Sequence, residues 1–457
     1  MIGETKMTEV KEFTWNRYPE AWQKIQAQVE NYMEAHPGIA NLSNLMRLGA
    51  GARLIDYIDT LVVNSEAWAS ELLDMGYIRE GMVFSFPGAI LPAVVLSTDS
   101  PKDTGNGIAI KVDNVAQFLM THGLTQPIEI EGGPFSGLRR SEVSKVNRVS
   151  LWVVERRLAG IMQPVPRQPG YLRLYMKTLD NWLTRPRFLR EEKMAMEHTL
   201  ALAERQVMDA GKDLAAFLFF EAERRYWESR NRAAGVQKYY LDRVGLGWAG
   251  HDHHTFRSSR QHFPRLLKFF TTLGFQLRER FFAGEEAGWG AQVVEHPVIG
   301  ITLFLDVDLS ADELDVDFLA HGLPERQTLG TIGLWCALHG DSILESGLHH
   351  LAVLSDFEQL GANLLKENVK LMNPFSTLPY LRQAFTHGEM WRVEAHRIQT
   401  LLKNGAISAE SAKNFTVHGA VGSHLENIQR EDGYKGFSQK EVSKIIKETD
   451  PQFYKQD

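Results

Sequence analysis

One pattern recurs along this chain and limits its fold more than any single residue does. A strand-like run is followed by an amphipathic helix closed by glycine and an aromatic residue, and then by short strand-like runs. In the first copy Leu54 to Val63 opens, a helix from Ser65 ends at Met75-Gly76-Tyr77, and apolar runs follow at Met82 to Phe86 and Ile90 to Ser97. In the second, residues 252–258 open, a helix over Phe263 to Leu273 ends at Gly274-Phe275, and runs follow at Gln276 to Phe282, Ala291 to Val294 and Gly300 to Val307. Shorter copies occupy 107–156 and 346–428. A unit of this size cannot bury its apolar face alone, so the copies must pack in pairs, and two modules curling together make a cupped sheet. The expected class is α+β: tandem βαβββ modules forming cupped mixed sheets, with a helical insertion.

The copies divide the chain into N-terminal helices over 1–50, a module pair over 51–160, a helical connector over 161–248, a second pair over 249–437 and a tail helix over 438–457. The connector rests on residues 171–245, whose apolar positions from Met194 to Tyr226 recur among many charges with few breakers; two or three helices are expected, serving as connector or oligomer contact. Further expectations are a helix within Ser310 to Leu338, strands through 378–400, and a last strand from Thr416 to Ile428.

A formal charge of −7 over 457 residues gives no electrostatic reason to expect nucleic acid. No run approaches the ~20 apolar residues of a membrane span. Cys336 is the only cysteine, which rules out an intrachain disulfide and suits a reducing compartment; burial as a small apolar residue and a cytoplasmic location are expected.

The second pair opens on Gly250-His251-Asp252-His253-His254-Thr255-Phe256-Arg257-Ser258-Ser259-Arg260. As a strand, its period of two puts His253, Thr255 and Arg257 on one face and His254 and Phe256 on the other. An imidazole ligand and a guanidinium able to grip a carboxylate with two parallel hydrogen bonds then share one cavity. His350 falls on the first strand of the partner module and Glu426 on its last, each about one module further on. Two histidines and one carboxylate with open positions make the facial triad of non-heme Fe(II) oxygenases. His251 or His254 competes with His253, His349 with His350, and Glu431 with Glu426. Thr255 and Ser258 join Arg257 as candidate substrate contacts, and Arg257 is the candidate catalytic group. His387, His396, His418 and His424 are taken as surface residues or as lying behind the ligands. In the first pair the matching strand carries Asp56 and Tyr57 and no histidine, although Glu155 remains, so no metal is expected there.

This layout is that of the vicinal oxygen chelate superfamily, and its double-domain form resembles hydroxyphenylpyruvate dioxygenase. A closer resemblance, over 250–440, is to the iron-dependent 2-oxoadipate dioxygenase/decarboxylase (2-hydroxyglutarate synthase) family. That family's Asp-His-x-x-x-Arg opening resembles Asp252 to Arg257. Its small-residue turn and glutamate strand resemble Gly422 to Asn427, and its Arg-x-Asp-Gly-aromatic segment resembles Arg430-Glu431-Asp432-Gly433-Tyr434. The long helical segment and the metal-free first pair depart from the family's simplest members. The resemblance implies Fe(II), O2 and a small 2-oxo acid, with oxidative decarboxylation and hydroxylation of 2-oxoadipate to 2-hydroxyglutarate. The alternatives are a hydroxyphenylpyruvate-type or extradiol-type enzyme on an aromatic substrate, and a catalytically silent small-ligand binding protein. A homo-oligomer is an option.

Overall fold

In the computed structural model, residues 15–97, 105–124, 128–166, 168–438, 445–446 and 448–454 are described. Helices α1 (Pro19–Ala35) and α2 (Pro37–Ala50) lead into β1 (Ile58–Val63), α3 (Ala67–Asp74), β2 (Ile78–Glu80), β3 (Val83–Ser85) and β4 (Ala93–Leu96). The second module of this pair holds β5 (Asn106–Lys111), α4 (Val115–Thr121), β6 (Leu138–Val146) and β7 (Val149–Arg156). Their seven strands form one mixed sheet in the order β2-β3-β4-β1-β5-β7-β6. The first strands of the two modules, β1 and β5, meet antiparallel at the centre.

Helices α5 (Tyr171–Leu183), α6 (Glu192–Ala210), α7 (Lys212–Glu228) and α8 (Arg232–Arg243) come next. The second sheet begins with β8 (His251–Arg257), α9 (Phe263–Thr272), β9 (Gln276–Phe282), β10 (Trp289–His296) and β11 (Ile301–Asp308). After α10 (Thr331–His339) come β12 (His350–Leu354), α11 (Phe357–Lys366), β13 (Ser376–Leu378) and β14 (Leu381–Phe385). Then follow β15 (Met390–Trp391), α12 (Ala395–Lys403), α13 (Ala409–His418), β16 (Ala420–Val421) and β17 (His424–Arg430). Eight strands are ordered β13-β14-β17-β12-β8-β11-β10-β9, with β8 and β12 antiparallel at the centre and each parallel to its own module's last strand. This is the expected α+β arrangement, two mixed sheets in each of which the first strands of paired modules meet antiparallel at the centre.

The back of β8 is where the helical segment enters the core. Phe256 and His254 face Phe219 and Phe220 of α7, with ring centroids 6.3 Å apart for Phe219 and Phe256 and 5.0 Å for Phe220 and His254. Phe270 of α9 closes the cluster 5.0 Å from Phe256. Glu223 of α7, fully buried, accepts from Arg185 at 2.9 Å and Arg187 at 2.6 Å, and Arg187 also donates to the Leu344 carbonyl at 3.2 Å. At the start of β8, Gly250 passes so close to the first pair that a Cβ there would stand 2.2 Å from the Tyr57 ring.

Several elements differ from the sequence expectation. Leu54–Tyr57 is a single 3-10 turn, so the first strand begins only at Ile58. The helical segment holds four helices where two or three were expected, because Gly211 breaks what reads as one apolar periodicity. Strand β6 went unread: Leu138–Val146 is mostly polar and only half-buried, so it lacks clean alternation. The region after Ser310 is helical only at Ala311–Glu313 and Thr331–His339. Residues 395–400 and 416–418, expected as strand, belong instead to the helices Ala395–Lys403 and Ala409–His418; Ile398 and Leu401 share a buried face, and Ser408 caps the second by accepting from the Ser411 amide. The tail helix expected over 438–457 lies mostly outside the described residues, although Ile445 and Ile446 are buried. Cys336 is buried, and among the described residues no helix is long and apolar enough to cross a membrane.

If the helical segment is part of the core, Phe220→Ala should cost about 3–5 kcal/mol by the scale for buried aromatic truncation. Urea denaturation measures this, and a loss below about 1 kcal/mol would mark α7 as a detached connector.

Candidate metal centre

The register across three strands builds the site. His253 on β8 lies opposite Ala352 on β12, and Ala352 lies opposite Glu426 on β17. Residues directly opposite share a face of the sheet, so the alanine methyl leaves open the space between the histidine and the glutamate. His350, two residues before Ala352, points to the same face beside Thr255. The outcome is one cluster: Glu426 Oε2 lies 3.2 Å from Nε2 of His253 and 3.2 Å from Nε2 of His350, and the three ligand atoms fall within 4.8 Å of one another.

Each ligand is held from behind. His253 Nδ1 lies 2.8 Å from Asp252 Oδ2, and Arg430 grips that carboxylate at 2.7 and 3.0 Å. A ring nitrogen bonded to a carboxylate carries the proton, which leaves Nε2 as the ligand atom. Gln383 Nε2 donates to Glu426 Oε1 at 2.7 Å, directing Oε2 to the centre. His349 Nδ1 lies 3.0 Å from His350 Nδ1 behind that ring, whereas Thr255 Oγ1 lies 2.8 Å from the inward atom itself, His350 Nε2.

The electrostatics describe a cation site. Burial opposes a charged His253 ring, yet Glu426 and Asp252 outweigh it and push the ring up to about 9. Burial likewise opposes a charged Glu426, but His253 and His350 bring its carboxyl down to about 2. Burial takes His350 down to about 4, despite the nearby Glu426. Two imidazoles with inward Nε2 atoms and a fixed carboxylate oxygen suit a divalent transition metal.

Arg257 follows on the same face. It is buried, its guanidinium carbon lies 5.5 Å from the Trp335 ring centroid, and its Nε and Nη1 have no hydrogen-bond partner among the described residues. Asp306 stands opposite it in register, with an unpartnered Oδ1 and a carboxyl that burial, against the pull of Arg257, pushes up to about 7. The end of β8 is fixed by Ser342, which accepts from the Arg257 amide at 2.9 Å, and by Asp341, which takes the Ser259 amide and the His262 ring. Asp341, His262 and Glu192 form a second group with metal-ligand spacing among the described residues, but Asp341 is engaged by His262 and Ser259 and Glu192 by Arg397.

His253, His350, Glu426, Thr255 and Arg257 thus all line one cavity of about 60 Å³, walled by Phe281, Phe304, Phe375, Phe385 and Phe437. Ser258 does not line it; its hydroxyl donates to the Ser259 carbonyl. The competing residues lie elsewhere or behind. His254 is buried on the opposite face, His251 bonds the Trp248 carbonyl, and Glu431 pairs with Arg53. His349 lines the cavity beside His350. His424 is buried against Phe385 and His349, while His396 and His418 are exposed and His387 is half-buried. In the first pair, Glu155 is held by Arg139, Arg157 and the Val115 amide. Sequence reasoning passed over the work of Asp252, Arg430, Gln383 and Asp306. The first two already stood inside the two quoted motifs; nothing in the sequence shows that residues so far apart meet.

No family model and no curated protein matches the chain. Among solved structures it is similar to a mutant of 4-hydroxymandelate synthase from Streptomyces coelicolor at 14% identity, covering 86% of this chain and 96% of that one, with a TM-score of 0.24. It is also similar to methylmalonyl-CoA epimerase from Mycobacterium tuberculosis at 13% identity, covering 40% of this chain and 88% of that one, with a TM-score of 0.23. A xylose isomerase-like TIM barrel/4-hydroxyphenylpyruvate dioxygenase fusion protein matches at 10% identity over 85% of this chain and 51% of that one, with a TM-score of 0.21. Scores this low carry nothing about function, and the fold stands on the strand order above.

Two outcomes are expected. Asp252→Asn should weaken Co(II) or Fe(II) binding by about 10- to 100-fold, read from the Co(II) absorption spectrum, because it frees the His253 ring. Asp306 is a raised carboxyl, so its contribution to stability is full below its unfolded value near about 4 and is lost as pH rises toward about 7. Melting temperatures of the wild type, taken relative to Asp306→Asn, should therefore fall across that window.

Proposed function

We propose that this chain is an Fe(II)-dependent oxygenase that oxidatively decarboxylates and hydroxylates a 2-oxo acid, with 2-oxoadipate going to 2-hydroxyglutarate and CO2. One observation carries this most: a two-histidine, one-glutamate cluster shares a buried cavity with an arginine that has two unpartnered nitrogens. The resemblance of Asp252 to Arg257, of Gly422 to Asn427 and of the Arg430 segment to the 2-oxoadipate family supports the substrate. Bound Fe(II), held by His253, His350 and Glu426, would supply the Lewis-acid and redox chemistry that joins O2 to a 2-oxo acid.

The protein's own groups do the rest. Arg257, stripped of water and unpaired at Nε and Nη1, binds the substrate carboxylate remote from the metal and sets its register. Asp306, neutral below about pH 7, leaves that guanidinium's charge available to the incoming anion. Asp252 and Arg430 hold the His253 tautomer, and Gln383 keeps Glu426 from rotating. The phenylalanine walls exclude bulk water, which strengthens every charge interaction inside.

The same walls favour a second substrate: five phenylalanines around the cavity suit an aromatic 2-oxo acid of the hydroxyphenylpyruvate type. After anaerobic loading with Fe(II), O2 uptake and CO2 release on 2-oxoadipate beside hydroxyphenylpyruvate separate the two. Coupled O2 loss and CO2 release on 2-oxoadipate alone is the expected result. Arg257→Ala should keep its iron yet lose roughly 10- to 100-fold in kcat/KM on the dicarboxylate, the scale of a charged hydrogen bond. Unchanged turnover would remove Arg257 as the clamp. Iron that survives His253→Ala unchanged would remove the metal assignment and favour a silent binding protein.

A further inference from the structure

The first module pair has a cup of its own, and it is much larger than the metal cavity. Strands β1, β4, β5 and β7 wall a space of about 570 Å³, floored by Ile58, Val83, Leu91 and Met162. Almost every charged group on its walls is committed. Asp59 accepts from Arg156 at 2.6 and 2.7 Å and from the Thr60 hydroxyl at 2.8 Å. Arg156 spends its remaining nitrogen on the Ile161 carbonyl. Asp56 is held by two nitrogens of Arg53, each at 2.7 Å. Arg430 reaches this wall too, and its nitrogens go to Asp252 and to the Tyr434 and Gly436 carbonyls. Glu80 is exposed at the rim.

Lys111 is the exception. It lies at the end of β5 on the cup's wall, half-buried, and makes neither a hydrogen bond nor an ion pair with any described residue. Arg156 is balanced by Asp59, Arg430 by Asp252, and Arg53 by both Asp56 and Glu431, which leaves Lys111 as the cation on this wall without an ion-pair partner among the described residues. Burial pushes the Lys111 ammonium down, with Asp59 opposing, and an arriving carboxylate would favour its charged form.

We propose that the cup of the first module pair is a second small-molecule site, in which Lys111 pairs with the carboxylate of a ligand whose apolar body lies on Ile58, Val83, Leu91 and Met162. A single ammonium and an apolar floor select a monocarboxylate: a phosphate ester would bring more charge and more acceptors than one lysine satisfies. The proposal does not depend on the metal assignment, although Arg430 joins this wall to the Asp252 that holds His253.

Hexanoate is the probe, with hexylamine and inorganic phosphate as controls, and the readout is the rate at which Lys111 itself is acetylated in the full chain, followed by peptide mass spectrometry. With hexanoate at about ten times its Kd, acetylation of Lys111 should slow by about tenfold, while hexylamine and phosphate leave it unchanged. By calorimetry, Lys111→Met should lose this binding and Lys111→Arg should keep it, both with the wild-type iron content and melting temperature. Because Lys111 is read directly, hexanoate that binds only at Arg257 shows as heat without protection and overturns the proposal. Equal protection by hexylamine, or hexanoate affinity in Arg257→Ala that is unchanged when Lys111→Met is added, overturns it as well.

Discussion

The antiparallel pairing of β8 with β12 is the constraint on which the functional half depends. A side chain's face is set by strict alternation, so a slip of one residue would turn His253, Thr255 and Arg257 into the hydrophobic core and bring His254 and Phe256 into the cavity. Such a slip is opposed from behind, where Phe256 and His254 are packed into the aromatic cluster of α7 and α9. The helical segment therefore has a positional role: it holds the back of the strand whose front carries the first ligand. Ala352 completes the geometry by being small, since a longer side chain opposite His253 would occupy the space where the ligand atoms converge.

Buried charges then come in matched sets, because an unpaired charge away from water is costly. Asp252 with Arg430, Glu223 with Arg185 and Arg187, and Asp341 with His262 each tie one segment to another distant in sequence. Against this background the incomplete sets stand out. Arg257 and Asp306 face each other with orphaned atoms inside the metal cavity, and Lys111 stands alone in the other cup. Both cups share Arg430, which lines one and orients a ligand of the other.

Much of the ordered core was readable because its periodicities are strong. The helix from Phe263, the strand from Ile301 and the alternation from His253 to Arg257 each have one apolar and one polar or functional face. The misread stretches have mixed faces. Leu138–Val146 pairs along one edge of its sheet with mostly polar residues, and Ala395–Lys403 and Ala409–His418 bury only two residues each in a satellite cluster, too few to show a helical period.

The chain's sequence by itself determined the α+β class and the side chains that meet on one face of β8, since these follow from local alternation and turn residues. Which of His349 and His350, or of Glu426 and Glu431, reaches the centre was decided only by tertiary structure. His349 also lines the cavity, but it is His350 Nε2 that lies 3.2 Å from Glu426, while Glu431 falls beyond the end of β17 and pairs with Arg53. The same holds for Asp252 with Arg430 and for Arg257 with Asp306: their contacts exist only once separate strands lie in register, and no local pattern encodes that register.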